Sequence, residues 1–470
     1  MFTTEEMNDK MKKEAEKTIL NPSRARKEAH MIKHKKTVGI YTLGCKVNQY
    51  ESEAIAEKFT AEGFDVTPHE LPCDIYVINT CTVTAESDRK ARQFIRRAIS
   101  SNPEAFVLVT GCMAQSNPEK AAAIAGVDYI CGSANKLSVV DAAKRLVKTG
   151  KKNDAAEVAV GHLDGAEFET MTISRFDRTR AYLKIEDGCE NHCSYCAIPA
   201  ARGRVRSKCP EDVLSEVRRL TENGCREIVL TGIETASYGR DLENYDLASL
   251  LSDADKIDGV GRIRIGSIDP SVMRRAFVDK IACLKHLTPH FHLSMQSGSD
   301  RILALMKRKY NTSMAYENIE YLRSKIPGVM VTTDIIVGFP GETDEDFEQT
   351  MDFAERVRFL DMHVFAYSRR AGTAADKMPE QIPESIKRER SSRLIALRKK
   401  IKNEVLSEFA AECPETEVLF ESYEGGRAYG HTASFVEVAV PSERELHSEL
   451  HLVRIESVSD GICVGRLEDT

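Results

Sequence analysis

The sequence contains no long apolar run. No stretch of its 470 residues approaches the roughly 18 consecutive apolar residues that a membrane-spanning helix needs. The first residues, MFTTEEMNDKMKKEAEK, also lack the apolar core of a secretory signal. We therefore predict a cytoplasmic protein without a membrane partner. Thiols stay reduced in that compartment, so the thirteen cysteines are expected to be metal ligands, catalytic groups or small buried side chains rather than disulfides.

Charge is not strongly biased over the whole chain, but it is distributed unevenly. The formal net charge is −7, whereas residues 385–404 carry eight basic residues against two acidic ones. Two shorter segments, RKARQFIRR (89–97) and RGRVRSK (202–208), are also basic, and residues 405–470 carry four basic residues against fourteen acidic ones. Basic segments can bind an anionic partner, although a solvated helix face is their more common role. Net charge alone therefore decides nothing about partners.

Strand-like and helical patterns alternate in two long parts of the chain. Residues 37–150 and 175–405 both show this alternation, which is typical of parallel sheets covered by helices. Six strand-like runs in the second part predict an open (β/α)6 barrel, and short strand-like runs in residues 406–470 predict a small antiparallel β-barrel. The predicted fold class is therefore α/β, with a charged arm over residues 1–36 and a polar linker over residues 151–174.

The stretch GCENHCSYCAIP, residues 188–199, carries the most specific motif. Cys189, Cys193 and Cys196 follow a predicted strand with C-x3-C-x2-C spacing, so three thiolates can converge on one soft metal centre. Three protein ligands leave one iron of an iron–sulfur cluster free for a substrate or cofactor. A zinc ion would need a fourth ligand, and His192 is poorly placed because it is the immediate neighbour of Cys193.

Three further cysteines share one position relative to predicted strands. Cys45, Cys81 and Cys112 each follow an apolar run, and ligands gather outside the carboxyl ends of strands in an open α/β sheet. A small buried side chain is the ordinary explanation of any one such cysteine. Three at equivalent positions instead indicate a second metal site, provided that their strands are neighbours. Spacing alone leaves Cys131, at the end of a fourth run, as a further candidate.

The motif at residues 188–199 resembles that of the radical S-adenosylmethionine (SAM) superfamily, C-x3-C-x-aromatic-C, with Tyr195 at the aromatic position. The resemblance implies a 4Fe–4S cluster on Cys189, Cys193 and Cys196, whose free iron chelates SAM. It also implies reductive cleavage of SAM to a 5′-deoxyadenosyl radical, chemistry that belongs to the cofactor. We therefore predict no catalytic side chain.

Polar and small residues at the ends of other predicted strands are candidates for SAM binding. Gly232 and Glu234 lie at the carboxyl end of a strand, where barrel active sites are built. His292, Ser294 and Gln296 alternate with apolar residues, and a polar face inside a barrel implies a ligand, with structural water as the alternative. A glycine in DIIVGFPGE would allow the backbone to approach the adenosyl group. The predicted SAM-binding residues are Tyr195, Gly232, Glu234, Ser294, Gln296 and Gly338.

Nearly the whole chain beyond the arm resembles the methylthiotransferase family. The resemblance is carried by LGCKVNQYESE, NTCTVTAESDRKARQ, TGCMAQ, DGCENHCSYC, LSMQSGS and DIIVGFPGET. It implies a second 4Fe–4S cluster on Cys45, Cys81 and Cys112, no ligand at Cys131, and a C-terminal barrel of the TRAM type. The stretches around the first two cysteines are most similar to the bacterial branch that adds a methylthio group to C2 of N6-threonylcarbamoyladenosine at position 37 of tRNA, beside the anticodon.

The resemblance also implies partners and a reaction that uses SAM twice. One SAM methylates a sulfur on the second cluster, and the radical from another abstracts hydrogen from C2 of the base. The expected partners are the anticodon stem-loop of tRNA, held mainly through the three basic segments, and an electron donor such as flavodoxin or ferredoxin. The alternatives are a methylthiotransferase acting on isopentenyladenosine or on a ribosomal protein aspartate, and a non-enzymatic iron–sulfur regulator.

Overall fold

The computed structural model describes residues 35–82, 85–176 and 178–468. The predicted arm, residues 1–36, lies outside the described residues except for its last two. The first part of the chain forms a six-stranded sheet with strands β1 (Thr37–Thr42), β2 (Asp65–Thr67), β3 (Ile75–Thr80), β4 (Phe106–Gly111), β5 (Tyr129–Cys131) and β6 (Glu157–Ala159). The strand order is β2-β1-β3-β4-β5-β6, and every neighbouring pair is parallel. The strands that precede Cys45, Cys81 and Cys112 are therefore adjacent.

Helices cover both faces of this sheet, which explains why β3 and β4 are buried along their whole length. The helices are α1 (Lys46–Ala61), α2 (Ala85–Ser101), α3 (Cys112–Ser116), α4 (Pro118–Ala122) and α5 (Ser138–Thr149). On one face, Ile55 and Phe59 of α1 pack with the apolar residues of α5. On the other face, Ala91 and Ile95 of α2 pack against the sheet. Apolar residues of α1 recur every three or four positions, as a helix lying on a sheet requires.

The predicted linker, residues 151–174, is packed against the rest of the chain. Its strand β6 extends the first sheet by pairing with β5. The carbonyl of Met171 accepts a hydrogen bond from the Tyr50 hydroxyl at 2.6 Å. The backbone N–H of Ile173 donates to Glu216 Oε1 at 2.7 Å. A polar sequence without periodicity was misleading here because backbone groups make most of these contacts.

The central part contains two three-stranded parallel sheets. Their strands are β7 (Arg180–Lys184), β10 (Glu227–Thr231), β11 (Arg262–Ile265), β12 (His290–Gln296), β13 (Met330–Val337) and β14 (Asp361–Ala366). The orders are β11-β10-β7 and β12-β13-β14, and an isolated parallel bridge between Ile268 and Leu293 brings the two sheets together beside β11 and β12. A short antiparallel pair, β8 (Glu186–Asp187) and β9 (Arg206–Ser207), flanks the loop that carries Cys189, Cys193 and Cys196.

Helices connect and cover these six strands. They are α6 (Ile198–Arg202), α7 (Pro210–Glu222), α8 (Leu247–Ala254), α9 (Arg275–Ile281), α10 (Asp300–Leu305), α11 (Thr312–Lys325), α12 (Asp344–Val357) and α13 (Glu384–Glu412). The start of α12 follows from a local signal, since the Thr343 hydroxyl accepts from the Asp346 N–H and the Asp346 carboxylate accepts from the Thr343 N–H. The predicted boundary at residue 405 falls inside α13, so that helix ends seven residues later than expected.

The last five strands close into a small barrel. They are β15 (Glu415–Glu424), β16 (Arg427–Thr432), β17 (Glu437–Pro441), β18 (Leu450–Ser459) and β19 (Ile462–Leu467). Neighbouring pairs are antiparallel except β17 and β19, which are parallel. This barrel contacts the first residues of the central strands. Arg180 pairs with Glu421 at 2.7 Å, Arg262 pairs with Glu417 at 3.0 Å, and the Phe435 ring stacks on His290.

Candidate active site

Cys45, Cys81 and Cys112 converge at the carboxyl edge of the first sheet. Cys45 precedes α1, Cys81 follows β3, and Cys112 is the first residue of α3. Gly44 has a φ of 109°, and a Cβ at that position would lie 2.8 Å from the Cys81 sulfur. The glycine therefore lets the Cys45 loop approach Cys81 closely. Arg202 also brings Cys112 close to Cys45, because it donates to the Cys112 sulfur and to Asn48 Oδ1, which lies 3.9 Å from the Cys45 sulfur.

Cys131, the candidate that spacing left open, has a different environment. It ends β5 and is fully buried among apolar residues of α5. Its sulfur lies 3.2 Å from the Thr110 hydroxyl, with which it is hydrogen-bonded. Burial raises the pKa of this thiol to about 11. The surroundings of Cys131 are those of a small core residue.

A buried ion network lies beside the first three cysteines. Glu51 of α1 binds Arg202 Nη1 at 2.6 Å, Lys184 Nζ at 2.8 Å and the ammonium of Lys136. These four side chains are at most 2% exposed. Burial opposes ionisation of Glu51, but the three cations hold the pKa of its carboxyl well below the ordinary value. The network thus keeps one carboxylate charged inside the protein.

Arg202 connects this network to the thiols. Its Nε donates to the Cys112 sulfur at 3.2 Å, and its Nη2 donates to Asn48 Oδ1 at 2.6 Å. Arg202 is the last residue of α6, the short helix that follows the loop of Cys189, Cys193 and Cys196. One buried guanidinium therefore connects Cys112 to the helix that follows the other cysteine loop, and a donated hydrogen bond stabilises negative charge on the sulfur that accepts it.

Cys189, Cys193 and Cys196 lie on the loop between β8 and α6, and each sulfur accepts a hydrogen bond. The donors are the backbone N–H of Asn191 to Cys189 at 3.4 Å, the N–H of Ile198 to Cys196 at 3.4 Å, and Arg308 Nη1 to Cys193 at 3.2 Å. Burial, with the neighbouring thiols, raises the pKa of Cys189 to about 12 and that of Cys196 to about 11. His192, the possible fourth zinc ligand, is exposed.

The number of cysteines in each site fits an iron–sulfur cluster better than a single zinc ion. A structural zinc ion would need a fourth protein ligand, whereas three cysteines can each bind a different iron of one cluster. Each site also supplies hydrogen-bond donors for thiolates, as clusters require.

Two carboxylates lie beside the loop of Cys189, Cys193 and Cys196. Glu186 Oε2 accepts from the Glu234 N–H at 2.9 Å, and a Cβ at Gly232 would lie 2.6 Å from the same oxygen. Gly232 therefore makes room for Glu186. Within the described residues, the Oε1 atoms of Glu186 and Glu234 are buried without a hydrogen-bond partner. Burial, with the nearby charge of Asp269, raises the pKa of Glu234 to about 7. These oxygens are free to accept hydrogen bonds from a ligand.

The other predicted SAM-binding residues differ in their local surroundings. Gln296 has a φ of 68° where the register between β12 and β13 shifts, a strained conformation common at functional sites. The backbone carbonyl of Ser294 accepts hydrogen bonds from Arg308 and Tyr310. The Tyr195 ring packs against a small apolar cluster. At Gly338, the space that a Cβ would take is filled by the Lys387 side chain.

Most of the basic segment 202–208 is buried, against the expectation that it contacts phosphates. Arg202, Arg206 and Lys208 are at most 7% exposed, which leaves Arg204 on the surface. The sequence motif RGRVRSK showed a run of cations but not their partners, so the roles of Arg202 and of the carboxylate Glu51 were missed. The sequence signal that could have indicated these roles is the position of this run of cations, which directly follows the loop of Cys189, Cys193 and Cys196.

The other two basic segments differ in how far their cations are already paired. On α13, Arg398 and Lys402 both pair with Asp361, and Arg393 pairs with Glu348. On α2, Lys90, Arg96 and Arg97 are exposed. The α2 cations are therefore freer to bind phosphates than those of α13.

No helix among the described residues has the length and apolar character that crossing a membrane would demand.

Comparisons with known proteins indicate the same class of protein as the fold and the cysteine sites do. The radical SAM superfamily model matches residues 183–354, and the model described as uncharacterized protein family UPF0004 matches residues 37–132. The structure of a radical SAM methyltransferase, TsrM from Kitasatospora setae, has a similar fold with a TM-score of 0.54 and 16% identity, covering 73% of this chain and 77% of that one. A cysteine loop after the first strand of a parallel α/β unit, in a chain that matches this model, defines a radical SAM enzyme.

Curated relatives give the particular family. A threonylcarbamoyladenosine tRNA methylthiotransferase of Bacillus subtilis is 40% identical, with 89% of this chain and 93% of the relative covered. One from Thermotoga maritima is 38% identical, with 90% and 95% covered. A tRNA-2-methylthio-N(6)-dimethylallyladenosine synthase of Moorella thermoacetica is 35% identical, with 93% and 100% covered. The chain belongs to the tRNA methylthiotransferase family.

Proposed function

We propose that this enzyme adds a methylthio group to C2 of N6-threonylcarbamoyladenosine at position 37 of tRNA, beside the anticodon. The observation that carries the proposal is the pair of three-cysteine sites, one of which binds Arg202 of the helix that follows the other. Methylthiolation of an unactivated aromatic carbon needs two functions, a radical at carbon and a source of sulfur. Two neighbouring metal sites suit that requirement. The identities of 36–40% to relatives named for this substrate support the choice of base.

We propose that each set of three cysteines binds one iron–sulfur cluster. Cys189, Cys193 and Cys196 would hold the 4Fe–4S cluster that binds SAM. A second 4Fe–4S cluster would be held by Cys45, Cys81 and Cys112. When bound, the clusters and SAM supply the radical and the sulfur chemistry of the family. Methylthiotransferases and other radical SAM enzymes use these cofactors.

The chain's own residues would bind and orient these groups. Arg202 and Arg308 donate hydrogen bonds to thiolates of the two sites and would stabilise their negative charge. The unpartnered oxygens of Glu186 and Glu234 would accept hydrogen bonds from the amino or hydroxyl groups of SAM. The strained backbone at Gln296 would hold its amide toward the same ligand. Tyr195, Gly232, Ser294 and Gly338 complete the proposed SAM site.

The domain division remains part of the proposal. We infer a methylthiotransferase domain over residues 37–150, an open (β/α)6 radical SAM barrel from residue 175 to the end of α13, and a TRAM-like barrel after it. The element bounds and the two parallel central sheets support this division. The enzyme would act in the cytoplasm, receive electrons from a flavodoxin or ferredoxin, and bind the anticodon stem-loop. The target base would leave the loop stack to reach the space between the two cysteine sites.

Mass spectrometry of tRNA nucleosides tests the substrate. A deletion strain should lack 2-methylthio-N6-threonylcarbamoyladenosine and accumulate the unthiolated nucleoside, and the wild-type gene should restore it. The Cys193→Ala gene should not. Loss of the methylthiolated isopentenyladenosine instead, or of a methylthio group on a ribosomal protein, would assign the enzyme to another substrate.

A further inference from the structure

A cavity of about 300 Å³, lined by apolar surface and by several charged and histidine side chains, lies between α1, the central strands and the C-terminal barrel. Lys46 lines it from α1, Arg264 from β11, His290 and His292 from β12, and His363 from β14. The cavity adjoins both proposed functional regions. Lys46 directly follows Cys45, and His292 precedes Ser294 and Gln296 on the same strand.

Several donors in this cavity lack acceptors among the described residues. Lys46 makes no hydrogen bond or ion pair with them, and its ammonium lies 6.0 Å from the centre of the Tyr182 ring. Arg264 is 2% exposed and uses Nε on Glu227 and Nη2 on the Ala433 carbonyl, but its buried Nη1 has no partner. His290 Nδ1 is also buried without a partner in this part of the chain. A buried guanidinium nitrogen without an acceptor is unfavourable unless a ligand supplies one.

The carboxylates around the cavity are mostly engaged elsewhere. Glu227 pairs with Arg180 at 2.7 Å as well as with Arg264. Asp334 lies between His292 and His363, and Asp361 pairs with Lys402 and Arg398. Glu437 lines the opposite wall, on the C-terminal barrel. Among the described residues, Lys46 and the Nη1 nitrogen of Arg264 thus have no carboxylate within hydrogen-bonding distance.

We infer that this cavity binds the carboxylate of the threonylcarbamoyl group on the target adenosine, with Lys46 and Arg264 as the charged donors. The inference rests on the proposed function. The threonylcarbamoyl substituent ends in an amino-acid carboxylate, which accepts charge-assisted hydrogen bonds from ammonium and guanidinium groups. It projects from N6, on the same six-membered ring as C2. With C2 facing the cysteine sites, the substituent would extend toward Lys46, one residue from Cys45. An isopentenyl group offers no acceptor and would leave Lys46 and the Nη1 nitrogen of Arg264 without a partner.

A metal ion is the rival occupant. His292, Asp334 and His363 present ligand atoms that all lie within 4.8 Å of one another. However, His292 already uses Nε2 on Asp334 at 3.2 Å and Nδ1 on the Thr332 hydroxyl at 2.9 Å. His363 Nδ1 contacts Asp334 at 3.1 Å. The three side chains satisfy one another, whereas Lys46 and Arg264 do not, so the cavity favours an organic anion.

The test compares two anticodon stem-loops bound to the cluster-loaded enzyme. They share one sequence and carry at position 37 either N6-threonylcarbamoyladenosine or its carboxamide analogue, which lacks the negative charge. The wild type should bind the acid at least about tenfold more tightly than the amide. Lys46→Met should reduce that ratio by at least about threefold, since Arg264 remains as a donor, with iron content unchanged. Lys58→Met, on the same helix but outside the cavity, should keep the wild-type ratio.

Three outcomes would overturn the inference. The first is equal affinity of the wild type for the acid and amide RNAs. This result contradicts the inference even if Lys46→Met fails to load its clusters. A preserved ratio in a fully loaded Lys46→Met enzyme is the second. The third is stoichiometric zinc or manganese in the wild type that disappears in His363→Ala. By contrast, tight binding of the acid RNA without methylthiolation would contradict the proposed function and leave the cavity assignment standing.

Discussion

Replacing Glu51 with glutamine removes the only charged group that contacts Lys136, Lys184 and Arg202 together within the described residues. Asp187 would remain as the acid that faces Lys184 and Arg202, at 2.6 Å and 3.2 Å. Breaking a buried ion pair by removing one partner destabilises a protein by about 3–5 kcal/mol, because the other charge stays buried and uncompensated. All the Glu51 partners are buried, but Asp187 still compensates two of them, so the lower end of that range, about 3 kcal/mol, applies here.

The loss should appear as faster amide hydrogen exchange in α1, which carries Glu51. A change of about 3 kcal/mol in the free energy of local opening speeds exchange about 150-fold. Glu62→Gln is the matched control at the end of the same helix. Glu62 pairs with the exposed Lys144, and exposed pairs contribute little, so exchange in this variant should match the wild type.

The effect should depend on pH with a defined sign. The cations hold the folded-state pKa of Glu51 well below its unfolded value, so its stabilisation is complete above about pH 5 and is lost as pH falls toward the folded pKa. The difference between wild type and Glu51→Gln in the free energy of local opening of α1 should therefore be constant near neutral pH and become smaller in acid. Exchange within about twofold of wild type at neutral pH, or a gap that widens in acid, would refute the reasoning.

The other predictions concern the metal sites and RNA binding. The loaded enzyme should contain about eight irons, and the triple alanine variant of Cys45, Cys81 and Cys112 should contain about four. That variant should still cleave SAM but not methylthiolate tRNA, and continued methylthiolation would contradict the second site. Cys193→Ala should abolish SAM cleavage and retain about four irons, since its site lies on a separate loop, whereas loss of all iron would mean that the sites depend on each other. Replacing Lys90, Arg96 and Arg97 of α2 with glutamine should weaken tRNA binding and flatten its salt dependence by about one unit of slope per lost phosphate contact. The same change at Arg393, Arg398, Lys399 and Lys402 of α13 should flatten it less, because three of these cations are already paired; equal slopes in both variants would show that this pairing does not matter.

Local patterns in the sequence were enough to predict much of the fold. Strand-and-helix alternation predicted the parallel sheets because burial on both faces requires continuous apolar strands between amphipathic helices. It missed β2, β6, β9 and β16, which are short or mixed in composition. The C-x3-C-x2-C spacing predicted a metal-binding loop because close cysteines need no long-range contact to converge.

The grouping of Cys45, Cys81 and Cys112 needed one further condition, that β1, β3 and β4 be neighbours, and this is a property of sheet order rather than of spacing. The surroundings of these cysteines were determined only by the tertiary structure. Glu51 and Arg202 are 151 residues apart, and RGRVRSK has the composition of a solvated surface. Packing of α1 against the central strands removes both side chains from water, and a charge without water must then find its partner inside the protein. Which cations are buried and which remain free to bind RNA is therefore decided by that packing.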